Sequence, residues 1–105
     1  TYTIAKSGLT QMSRLAAIEL SKYNIRVNTI HPDSVYDTDV WSDDILKVRS
    51  KQYGLSISEY KRRNLLKTDV SSADVAELVA FLASSKSSKT TGAQIPVDGG
   101  NDRII

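Results

Sequence analysis

Thr1-Tyr2-Thr3-Ile4-Ala5-Lys6-Ser7-Gly8-Leu9 opens a stretch that continues to about Lys22 and then turns into Ile25-Arg26-Val27-Asn28-Thr29-Ile30, closed by His31-Pro32-Asp33. Ala5, Leu9, Met12, Ala16 and Leu20 recur at helical spacing and form one apolar stripe. Ile4, Leu15 and Ile18 fall outside it, so more than one face of this helix is expected to be covered. Tyr23-Asn24 predicts the helix stop, since Asn tolerates the left-handed conformation. Ile25 to Ile30 mixes β-branched and polar residues, which predicts a strand. Tyr2 and Lys6 stand four apart and share a helix face. An ammonium beside a phenol favours the phenolate, so the phenol can exchange a proton nearer neutral pH. The same spacing also fits an ordinary surface pair, and the surroundings must decide between the two.

The chain has 105 residues, enough for one small domain with a modest core. A formal charge of +2 gives no reason to expect a nucleic acid or a membrane surface as partner. With no Cys there is neither a disulfide framework nor a thiolate metal site, and no metal is expected. His31 is the only histidine, so a Ser-His-Asp arrangement has no other to use. No apolar run approaches the roughly 20 residues of a bilayer span, and no signal peptide is visible. The expectation is a cytoplasmic, reducing setting. The first residue is not Met, and Thr1 abuts the helix with the Tyr/Lys pair. The chain is therefore expected to be a piece of a longer protein.

Further along, Pro32-Asp33-Ser34 is turn chemistry. Ile45 to Tyr53 predicts a charged helix ending at Gly54. Ser56 or Ser58 is placed to cap a second helix running to about Leu66. Lys61-Arg62-Arg63 reads as a solvated basic face or an anionic-substrate contact. Ser71 or Ser72 caps a strongly apolar helix to about Ser84, with Asp74 favouring its first turn. Ala93 to Val97 predicts a strand, and Asp98-Gly99-Gly100 a turn. Helices alternating with strands argue an α/β fold with a parallel sheet. Two strands bury themselves poorly, so the sheet is expected to continue in residues N-terminal to these.

Tyr2-x-x-x-Lys6, Ser7-Gly8-Leu9, Ile25-Arg26-Val27-Asn28 leading to Pro32, and Thr91-Gly92-Ala93 through Val97-Asp98-Gly99-Gly100 occur here in one order and spacing. In this the chain resembles the C-terminal part of a short-chain dehydrogenase/reductase. Residues 28–35, Trp41, Tyr60 to Leu66 and Lys89 to Ala93 are similar to a narrower branch. That branch is the dehydrogenase domain of bifunctional rhamnulose-1-phosphate aldolase/alcohol dehydrogenases, associated with lactaldehyde. The resemblance implies the C-terminal portion of a Rossmann-like, doubly wound parallel sheet, with a helical, substrate-covering insertion at 35–66. It implies NAD or NADP as cofactor and a small alcohol or carbonyl substrate. Tyr2 would be the acid/base. Lys6 would lower the phenol's pKa and hold the nicotinamide ribose. Pro32 and Val35 would lie beside the nicotinamide, and Trp41 would wall the substrate pocket or fill the core.

Two departures stand out. Most of the family has Gly after the Pro, where Asp33 stands here. The usual Thr a few residues on has no direct counterpart, Asp37 being near its place and Thr38 one beyond. The Gly-rich phosphate loop and the catalytic Ser and Asn of the family lie upstream of these residues, so the choice between NAD and NADP is unreadable. The helix of Tyr2 and Lys6 builds a subunit contact in the family, implying a homodimer or homotetramer, and Gly8 and Ala17 suit a close approach. A non-catalytic oligomerisation module keeping the fold is the alternative. Packing alone would not require both Tyr2 and Lys6. A hydrolase is a poor third, for want of a nucleophile elbow. The chain by itself is expected to be inactive.

Overall fold

The computed structural model describes residues 1–101. They divide into two compact units, one of Thr1–His31 with Leu78–Ile95, the other of Pro32–Glu77 with the residues from Pro96 on.

In the first unit, helix α1 spans Tyr2–Leu20 and runs into a 3-10 turn at Ser21–Tyr23. Asn24 ends it in the left-handed conformation (φ 58°), as the sequence predicts, and its N–H donates to the Ser21 carbonyl. Only Ala17 of α1 is buried; Ile4, Leu9, Met12, Leu15 and Ile18 are all exposed. Both expected apolar faces are therefore largely uncovered among the described residues, although Ala16 and Leu20 are half-buried.

Strand β1 is Thr29–Pro32 and strand β2 is Gln94–Val97. They pair as a two-stranded sheet. The Thr29 N–H donates to the Ala93 carbonyl and the Asp33 N–H to the Val97 carbonyl, a parallel register. The strand thus lies later than the predicted Ile25–Ile30. Side chains explain the delay. The Asn28 Oδ1 takes the Ala93 N–H at 3.1 Å, and the Thr91 hydroxyl takes the Val27 N–H. These bonds occupy groups that a ladder would need, so regular pairing starts only at Thr29. Arg26 leaves the sheet altogether. Its guanidinium donates to the carbonyls of Leu82 (2.6 Å), Ser84 and Thr90 and to the Ser87 hydroxyl. A cation is thereby placed at the C-terminal end of helix α4, Ser72–Ala83, where unpaired carbonyls need donors.

In the second unit, Ser42 caps helix α2, Asp43–Gln52, by accepting the Ile45 N–H. Asp43 and Asp44 sit in its first turn and Arg49 and Lys51 in its last, each favoured by the helix dipole. Helix α3, Ile57–Lys61, carries a capping box. Ser56 Oγ takes the Glu59 N–H, and the Glu59 carboxylate takes the Ser56 N–H at 2.8 Å. α3 stops well before the predicted Leu66, because Asn64 is buried and closes the next turn. Its amide donates to the Thr68 carbonyl at 2.7 Å and accepts the Thr68 N–H. The N–H groups of Leu65 and Leu66 go to Gly100 and Gly99. At α4, Ser71 Oγ accepts the Asp74 N–H while the Asp74 carboxylate accepts the Ser71 N–H, the predicted start. The core of this unit is Tyr36, Leu46 and Tyr60, with Trp41, Leu55 and Ile57 packed on it.

Gly99 and Gly92 give a paired test. Both are left-handed, at φ +65° and +71°. A Cβ on Gly99 would stand 2.6 Å from Asn64 Cγ, whereas one on Gly92 meets only the Ala17 Cβ at 3.7 Å. Gly92→Ala should cost the left-handed penalty alone, about 1–2 kcal/mol. Gly99→Ala should add overpacking against a pinned amide, about 1–3 kcal/mol more. Denaturant melts of the two variants check this, and equal midpoints would contradict it.

Candidate active site

Position two of a helix points a side chain out past the first turn, and the Tyr2 ring is 75% exposed. The Lys6 Nζ lies 5.6 Å from the Tyr2 ring centre, so the pair meets as the four-residue spacing predicts. Lys6 has no carboxylate partner, since the ion pair found among the described residues is Arg62–Asp69. A bare phenol and a bare ammonium on one exposed helix face can reach an oxygen held outside the chain. A polar chain follows along α1. The Thr10 hydroxyl donates to the Lys6 carbonyl, Ser13 Oγ to the Thr10 carbonyl, and Thr29 Oγ1 to Ser13 Oγ at 2.7 Å. Gln94 Nε2 donates to Thr29 Oγ1, which turns its Oε1 to His31 Nε2 at 2.7 Å. His31 is thus tied to a side-chain network in the first unit.

Pro32, Val35 and Trp41 belong to the second unit. Pro32 is the last residue of β1 and exposed. Ligands of open α/β sheets bind outside the carboxyl ends of strands. Ser34 is left-handed at φ +57°, and Val35 bridges Val70 in parallel. The Val35 carbonyl also accepts the Thr38 hydroxyl at 2.9 Å, so Thr38 faces the turn itself. Asp33, in the place of the family's Gly, accepts from Asn101 Nδ2 at 2.8 Å. Trp41 packs edge-on to Tyr36 at 4.9 Å between ring centres and lies 6.4 Å from Tyr60. It contributes to the core of this unit.

Sequence reasoning missed two roles. Asp37 caps α4 from 35 residues away: its carboxylate accepts the Ser72 N–H at 2.8 Å and the Ser72 hydroxyl at 2.7 Å. Nothing local in the sequence signals that contact. Arg63 is no solvated charge: its guanidinium lies 4.2 Å from the Tyr60 ring centre. The three-residue spacing of Tyr60 and Arg63 was a usable signal for it. No group of three or more metal-ligating side chains, and no helix long and apolar enough to cross a membrane, occurs among the described residues.

A family model described as enoyl-(acyl carrier protein) reductase matches residues 1–102. The chain belongs to the short-chain dehydrogenase/reductase family. Among curated proteins it is similar to the uncharacterized oxidoreductase YuxG of Bacillus subtilis, 36% identical over 104 residues, covering 94% of this chain and 15% of that protein. A short chain dehydrogenase family protein from Francisella tularensis is similar in structure, at 37% identity and a TM-score of 0.74 over 93% of this chain and 41% of that one. The L-sorbose reductase of Gluconobacter frateurii, solved with NADPH and L-sorbose, aligns at 28% identity and a TM-score of 0.78, over 99% and 41%. These neighbours bear out the Rossmann-like α/β reading. The chain spans about a third of most of the curated relatives it matches, from 31% to 37%.

Hydrogen bonds from the Ser72 hydroxyl and N–H hold the Asp37 carboxyl below its ordinary 3.8. A carboxyl lowered on folding adds stability that is present above the unfolded value and lost as pH falls through the folded one. Asp37→Asn should therefore lower the thermal midpoint at neutral pH. The gap to the unmodified protein should close as pH drops below 3.8. A gap that persists unchanged in acid would show that the carboxylate is not the stabilising species.

Proposed function

We propose that the full-length protein carrying this chain is an NAD(P)-dependent oxidoreductase of a small alcohol/carbonyl pair, and that these residues are the C-terminal part of its catalytic domain. The observation that carries the reading is the exposed Tyr2 phenol beside a Lys6 ammonium that has no carboxylate partner among the described residues. The residues fit a nicotinamide cofactor. The free head groups of Tyr2 and Lys6 can meet a ribose and a reacting oxygen, and β1 ends at Pro32 with a turn that offers backbone groups through Val35.

The nicotinamide supplies hydride exchange at the carbinol carbon. In the oxidative direction Tyr2 takes the hydroxyl proton as the C–H pair leaves that carbon. In reduction Tyr2 returns the proton to the carbonyl oxygen. Lys6 would hold the ribose. Pro32 and Val35 would lie beside the nicotinamide, and the 35–66 insertion would cover the substrate, with Trp41 on its wall.

Polyhydroxylated or lactaldehyde-like substrates are favoured. The L-sorbose reductase above and a D-erythrulose reductase of Gallus gallus, 35% identical over 103 residues, act on compounds of that kind by name. YuxG is far longer than the other relatives, since similar matches cover 15% of it against about a third of them. That length supports the similarity to bifunctional aldolase/dehydrogenases and a second catalytic domain upstream. The uncovered apolar faces of α1 support a homodimer or homotetramer.

In the full-length protein Tyr2→Phe should cut turnover about 10²–10⁴-fold, the usual worth of a placed acid/base. It should leave cofactor quenching of fluorescence in place. Wild-type turnover in that variant would refute the role given to Tyr2, and no turnover in the unmodified protein would favour a non-catalytic module. These 105 residues expressed alone should give no NAD(P)-linked turnover, since the phosphate-binding loop of such folds lies upstream. Steady activity from them would contradict that expectation.

A further inference from the structure

Away from Tyr2 and Lys6, the most organised group of side chains in the second unit surrounds Arg63. Its guanidinium lies 4.2 Å from the Tyr60 ring centre and 5.2 Å from that of Tyr53. Its Nη1 donates to the Tyr36 hydroxyl at 3.4 Å and to the Tyr60 carbonyl at 3.5 Å. No carboxylate pairs with it among the described residues. The three tyrosines come from three places. Tyr36 directly follows Val35, Tyr53 follows α2, and Tyr60 lies on α3. One cation therefore gathers the start, the middle and the end of the 35–66 segment. Tyr36 and Tyr60 are buried, while Arg63 itself is half-buried, so its cation packs on the outer side of a buried aromatic pair. The single Trp of this sequence, Trp41, packs on Tyr36.

We propose that Arg63 is a positioning residue that sets substrate affinity, by locking Tyr36 and hence Val35 and Trp41 in one arrangement. The proposal rests on the reading above that the 35–66 insertion covers the substrate. Arg63 touches neither of the groups assigned the proton transfer. Its loss should loosen the substrate wall and spare the chemical step. That pattern raises KM with kcat nearly unchanged. A lysine keeps the charge but loses the planar face and the fork of donors, so it should not rescue.

The test uses the full-length protein with NADH or NADPH, with lactaldehyde and L-sorbose as substrate probes, and acrylamide quenching of Trp41. A Trp41→Phe background assigns the Trp41 signal. Arg63→Lys should raise KM about 2- to 5-fold, as expected for a partly exposed cation–π contact, with kcat unchanged within error. Trp41 should become more accessible to acrylamide while far-UV circular dichroism is unchanged. Should Arg63→Lys fail to fold, Tyr53→Leu removes one aromatic face at a residue 59% exposed, and should give a smaller change of the same kind. Unaltered KM and unaltered quenching in either folded variant would overturn the proposal. So would a fall in kcat equal to the fall in kcat/KM, which would place Arg63 in the transition state. If neither probe is turned over, the Trp41 quenching alone decides. An Arg63 variant without effect beside an inactive Tyr2→Phe defeats this inference only. An active Tyr2→Phe defeats the role given to Tyr2 in the functional reading.

Discussion

The first unit depends on Arg26. One guanidinium satisfies carbonyls at the end of α4 and in the loop to β2, at Leu82, Ser84 and Thr90. Asn28, two residues on, donates to the same Thr90 carbonyl and accepts the Ala93 N–H. Together they fix the approach of the 84–93 segment to the entry of β1, and so the register in which Thr29 meets Ala93. Hydrogen bonds of a charged donor are among the stronger ones, and here they give partners to carbonyls at a helix end. The apolar share of this unit's stability is small by comparison, since Ala17 and Leu82 are its only buried apolar residues among those described.

This explains which parts of the fold were legible in the sequence. α1 was, because nineteen residues of helical periodicity end on an Asn that takes the left-handed turn. The start of α4 and the cap of α3 were too, because Ser-x-x-Asp and Ser-x-x-Glu act within one turn. The bounds of β1 were not. Ile25 to Asn28 has strand composition, but its polar side chains compete for the ladder from more than sixty residues away. The length of α3 escaped for the same reason, as a buried Asn64 closes the chain onto Thr68.

The candidate site divides along the same line. Tyr2 and Lys6 were readable because helix geometry alone brings them together. The meaning of Asp37 was not, because its partner is Ser72. Standing near the place of the family's Thr, Asp37 spends its carboxylate on the N-terminus of α4.

Two cation–aromatic pairs in this chain show why spacing needs exposure beside it. Lys6 lies over Tyr2 one turn along α1, and Arg63, just past the end of α3, lies over Tyr60. At Tyr60 the ring is 3% exposed, so the cation can only organise what surrounds it. Tyr2 is 75% exposed, and among the described residues no carboxylate pairs with the Lys6 ammonium. A phenol there adds little to packing and is open to groups brought from outside. A cation beside a ring thus organises its surroundings beside α3 and stays accessible on α1, and the difference lies in burial.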